Sequence, residues 1–99
     1  MNARFHRAAM TAVLLAAGAA QAEPSSGLLL AQPCAGCHGQ DGAGQGATPA
    51  IAGLDREAFL EAWAAFRADA RPATVMNRIT KGYTEEEAAL LADHFASLQ

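Results

Sequence analysis

The chain has only two cysteines, Cys34 and Cys37, and that scarcity excludes most uses of a cysteine pair. A structural zinc site closes with four nitrogen or sulfur ligands. Outside the stretch 34–38, a mature chain lacking its first 22 residues offers only His94 towards that set. A redox dithiol of the thioredoxin kind belongs beside a βαβ pattern, and no segment here alternates convincingly enough to read as a strand. Long apolar runs are missing too. The longest, Ala8 to Ala20, falls short of the roughly 20 residues that a bilayer span needs. Positive charge is scarce, and four glycines between residues 39 and 46 lack the G-K-[ST] ending of a phosphate cradle.

What is present begins with a leader. Arg4, His6 and Arg7 give a basic start, the apolar run follows, and Ala20-Gln21-Ala22 is a small-x-small cleavage site. Residues 1–22 are therefore expected to be a signal peptide, with Glu23 opening a mature domain over 23–99 that is exported to the periplasm. That domain keeps five basic residues (Arg56, Arg67, Arg71, Arg78 and Lys81) against ten acidic ones, a formal charge of −5. The balance argues against a nucleic-acid partner and favours a partner with a basic patch. A domain of this size builds only a thin core by itself.

The stretch Cys34-Ala35-Gly36-Cys37-His38 reads C-x-x-C-H, the pattern of c-type haem attachment. Thiols at i and i+3 lie on one side of a helical turn. Each can form a thioether to a haem vinyl group, and the histidine that follows can ligate the iron. A haem would also supply the apolar surface that the small core lacks. With the leader removed, Met76 is the only methionine. A lone methionine is ordinarily core filler, but a haem held by one histidine commonly takes a methionine sulfur on its other face. His94 is the only competitor for that position.

Along the chain, Ser25-Ser26-Gly27 opens a short helix carrying Leu28, Leu29 and Leu30, and Pro33 bends or ends it before the motif. Gly27 either lets another backbone approach closely or simply marks the helix entry. Residues 39–54 are expected to be a loop. Within it, Pro49 is either a plain turn proline or the source of a carbonyl aimed at the ring N–H of His38. Asp55 is a good N-cap for a second helix, with Phe59, Trp63, Phe66 and Ala70 on one stripe. Pro72 suits the first turn of a further segment over 73–81, closed by Gly82. Thr84-x-x-Glu87 is a capping box for a last helix, whose buried face is Ala88, Leu91, Ala92, Phe95 and Leu98. Lys81, Tyr83 and Arg78 are candidates for partner docking or for contacts with haem propionates.

From Gly27 to Leu98 the sequence resembles the class I cytochromes c. Gly27 stands seven residues before Cys34, as the family's helix-packing glycine does, and Pro49 to Gly53 resembles the family's P-x-L-x-G stretch. The resemblance implies an all-α domain wrapped round one covalently bound haem c, with thioethers at Cys34 and Cys37. It also implies axial ligands His38 and Met76, a Pro49 carbonyl orienting His38, and an aromatic from the last helix against Gly27. That aromatic position falls at His94 or Phe95. A narrower likeness rests on Met76-Asn77-Arg78-Ile79-Thr80-Lys81-Gly82-Tyr83, similar to the M-x-R-I-x-K-G-Y segment in the cytochrome subunits of flavocytochrome c sulfide dehydrogenases. Cytochromes c4 and c553 share parts of it. Asp69 departs from the glycine that many relatives carry there. The narrower likeness implies a single-electron carrier, not an enzyme by itself, that accepts electrons from an FAD-containing sulfide dehydrogenase subunit. A free soluble carrier for another redox enzyme is the near alternative. A gas-binding or peroxidase-like haem protein is the alternative from a different class.

Overall fold

A computed structural model describes residues 26–98 together with residues 12, 13 and 18. Apart from those three, the expected signal peptide lies outside the described residues. The elements in order are helix α1 (Gly27–Leu30), a 3-10 turn at Gln32–Cys34, α2 (Ala35–His38), a 3-10 turn at Gln40–Gly42, α3 (Arg56–Arg67), α4 (Met76–Ile79), a 3-10 turn at Thr80–Gly82, and α5 (Glu85–Ala96). The described residues contain no strand, only an isolated bridge between Gln45 and Thr48. The all-α expectation holds. Among the described residues no helix is long and apolar enough to cross a membrane.

The two long helices form where local chemistry starts them. The Asp55 carboxylate accepts from the backbone N–H groups of Glu57 and Ala58, satisfying donors that the first turn of α3 would otherwise leave unpaired. At α5 the capping box is reciprocal: Thr84 N–H donates to Glu87 Oε1 at 2.9 Å, and Glu87 N–H donates to Thr84 Oγ1 at 3.1 Å. Three glutamates in that first turn face the positive end of the helix dipole. Helix α5 buries Ala88, Leu91, Ala92 and Phe95, the spacing of one helical face, and α3 buries Phe59 and Trp63. Phe59 links the two helices, stacking on Trp63 at 5.7 Å and on Phe95 at 5.8 Å between ring centroids.

Helix α1 crosses α5 at Gly27. A Cβ there would collide with the carbonyl oxygen of Leu90 and lie 2.9 Å from His94 Cβ, so only glycine permits this approach. The residue against Gly27 is thus His94. Phe95, 2 % exposed, turns into the core instead. The loop after α2 is tied down from both sides. Ile51 and Ala52 both donate to Gly42 O, and Gly53 donates to Phe95 O at 2.8 Å. A side chain at Gly42 would meet Ile51 and Phe95 at 2.8 Å with φ at +71°, so this turn also needs glycine.

The segment expected over 73–81 is shorter than its sequence suggests. Helix starts at Met76, with Val75 in the N-cap position, and Pro72 to Thr74 are irregular. No side chain caps that start. Bonds one turn apart hold it: the Thr80 hydroxyl, fully buried, donates to Met76 O at 2.8 Å, and Lys81 Nζ donates to Asn77 O at 2.8 Å.

Candidate functional site

Helix α2 is one turn long, and its four residues end the C-x-x-C-H motif. Cys34 occupies its N-cap position and Cys37 its third residue, so the one-turn offset places both thiols on the same side. Both thiols are free; Cys34 is half-buried and Cys37 exposed. Burial pushes the Cys34 thiol up from its ordinary value, against a smaller lowering by a backbone hydrogen bond.

His38, at the end of α2, is 9 % exposed. Its Nδ1 lies 2.7 Å from the carbonyl oxygen of Pro49. A carbonyl only accepts, so Nδ1 carries the proton and Nε2 keeps the lone pair that a metal needs. Pro49 provides more than a turn here, because its carbonyl fixes both the tautomer and the ring plane of His38.

These residues open onto one cavity of about 1020 Å³. It is at the upper end of ligand-pocket sizes, roughly 300–1,000 Å³, and its walls are mostly apolar. Cys34, Cys37, His38 and Pro49 line it from the first half of the chain, and Met76 from α4. Phe59, Trp63 and Phe66 form the α3 wall. Two thiols, an imidazole with a fixed proton, a thioether and aromatic walls make the donor set and surface that a c-type haem requires. His94 is not on this cavity. It borders a separate space of about 160 Å³ with Leu28, Ala31 and Gln32.

Of the three docking or propionate candidates, Arg78 and Tyr83 line the large cavity. Burial is the main cause that raises the Tyr83 phenol, and the charge of Glu87 adds to it. Lys81 is engaged elsewhere, with its ammonium 2.9 and 3.0 Å from the two Asp69 carboxylate oxygens. That neighbour lowers the Asp69 carboxyl from its ordinary value. Asp69 holds φ at +55°, the conformation that glycine adopts without strain, so the backbone turn is kept although the residue differs.

Two residues at the site escape sequence reasoning. Arg71 is on the cavity wall, its guanidinium carbon 4.8 Å from the centre of the Phe66 ring. The sequence marks it only as the residue before a proline. Thr80 gives no periodic signal, and only its four-residue spacing from Met76 hints at a hydroxyl-to-carbonyl bond.

Comparison with known proteins agrees with this geometry. Residues 22–99 match the cytochrome c family. Over 74 residues, 75 % of this chain and 67 % of the relative, the sequence is 43 % identical to the cytochrome subunit of sulfide dehydrogenase from Chlorobaculum tepidum. Haem c is accordingly the cofactor of this chain, and its role is electron transfer with no catalysis of its own. With a haem-sized cavity behind its C-x-x-C-H turn and a family match across nearly all of the described residues, the chain belongs to the cytochrome c family.

Proposed function

We propose that this chain is a periplasmic monohaem cytochrome that accepts single electrons from the FAD-containing subunit of a sulfide dehydrogenase. Residues 1–22 direct export and are removed, leaving 23–99. Cys34 and Cys37 form the thioethers, His38 ligates through Nε2 with Pro49 holding Nδ1, and Met76 supplies the sixth ligand. When bound, the haem supplies a one-electron Fe(III)/Fe(II) couple. His38 and Met76 would hold the iron from within a mostly apolar pocket, which would favour a raised potential relative to bis-histidine ligation. The observation that carries the reading is the single cavity reached by both thiols, by His38 with its proton committed to Pro49, and by Met76. The flavoprotein partner rests on the likeness to the Chlorobaculum tepidum subunit and on the M-x-R-I-x-K-G-Y segment.

The first test is the optical spectrum of the ferric mature protein. The weak far-red band of thioether sulfur on ferric haem is expected, and Met76→Ala should abolish it and open the ferrous haem to carbon monoxide. Rapid carbon monoxide binding by the unsubstituted protein would instead favour a gas-binding or peroxidase-like site. The partner is tested by co-purification. Sulfide should reduce the haem only when a flavin-bearing subunit is present, and equal reduction without it would leave a free carrier.

A further inference from the structure

Five cations lie in the described residues, and three of them have protein partners. Arg56 pairs with Asp93 at 2.7 Å and with Glu57 at 3.1 Å, and Lys81 pairs with Asp69 at 2.9 Å. Arg67 donates to the Tyr83 carbonyl at 3.0 Å. Among the described residues, neither Arg71 nor Arg78 has a carboxylate within ion-pair distance or a hydrogen-bond acceptor for its guanidinium. Among the described residues, those two are also the only Asp, Glu, Lys or Arg side chains on the wall of the large cavity. Arg71 rests over the ring of Phe66, itself a wall residue. A cation–π contact consumes none of the guanidinium N–H donors, which stay available for a planar acceptor.

The cavity takes a haem, and a haem brings two carboxylates. In an apolar pocket a carboxylate needs a charge partner and hydrogen bonds to remain ionised. Among the described residues, the protein places two forks without an ion-pair partner at that pocket, and no acid lines it. Building on the haem reading above, we infer that Arg71 and Arg78 are positioning residues that hold the two haem carboxylates as their counterions. Lys81 takes no part, because Asp69 occupies its ammonium. Bidentate guanidinium–carboxylate contacts also fix geometry, which a point charge does not.

The consequence is a potential that does not vary with mild acidity, since both carboxylates stay ionised. Remove a fork and the nearby carboxylate gains a proton more easily, above all when the iron is ferrous and carries one positive charge fewer. Reduction then takes up a proton, and the potential falls as pH rises between the ferric and ferrous values of that group.

The experiment uses the haem-loaded protein with Arg71→Gln, Arg78→Gln and the two lysine versions, titrated between about pH 5 and 8. The unsubstituted protein should give a flat potential, each glutamine variant a potential that falls with pH, and the lysine variants a weaker slope. The far-red sulfur band, read in the same samples, shows separately whether Met76 ligation has survived. Flat profiles in both glutamine variants, with that band intact, would overturn the inference. So would a flat profile joined to a weaker ionic-strength dependence of oxidation by ferricyanide, because the forks would then face solvent and an anionic partner. If a glutamine variant fails to retain haem, its lysine version carries the same readout.

Discussion

Residue 27 has no room for even one added carbon. A Cβ there would meet the Leu90 carbonyl, a backbone group that cannot swing aside, and His94 on the same helix. Gly27→Val should therefore destabilise the protein by about 1–3 kcal/mol, the usual cost of overpacking, read as a lower urea midpoint. The visible spectrum should stay unchanged, because residue 27 is not on the cavity wall. The glycine was legible in the sequence, but its partner was not. His94 and Phe95 are consecutive, and the choice between them depends on which face of α5 meets α1, a fact that only packing supplies. Pro49 is similar. Composition alone fits a plain turn equally well; the family likeness gave its carbonyl a role, and the carbonyl lies 2.7 Å from His38 Nδ1.

At the scale of elements, what could be read was what is local. Helices α3 and α5 each carry their own cap and their own apolar stripe, so their positions follow from spacing alone. Thr84→Ala should cost about 1 kcal/mol, since it removes the acceptor for Glu87 N–H. A urea titration should show that loss with the sulfur band retained. Helix α4 was not local in this sense. It has no side-chain cap, and Thr80, Lys81 and Asp69 hold it through bonds across the turn. It begins only at Met76, and none of these bonds falls on Pro72-Ala73-Thr74.

The described residues are built round a cavity of about 1020 Å³. Among the described residues the buried apolar side chains are Ala31, Phe59, Trp63, Ala88, Leu91, Ala92 and Phe95. Several of the larger ones, Phe59, Trp63 and Phe95, also face the cavity. A chain kept free of haem by Cys34→Ser and Cys37→Ser should retain helical circular dichroism but lose near-ultraviolet signal and cooperative unfolding. Full cooperative unfolding of that variant would show that the helices need no cofactor to pack. The C-x-x-C-H motif gave the cofactor directly, because its chemistry is local. Arg78 could be named as a candidate from the sequence, but Arg71 could not, since its place on the wall depends on how the segment after α3 folds back.

The seat of α1 on α5 also brings the two ends of the described stretch into one neighbourhood. Ser26 precedes the glycine that rests on His94, and Leu98 follows His94 by about one helical turn. A short peptide could therefore join them, and the order of the chain could be cut and rejoined without moving a helix. New ends opened at the exposed Gly46 turn, where a side chain would touch nothing, would put Met76 ahead of Cys34 in the reading order. The two halves of the pocket would be exchanged along the gene while keeping their places in space.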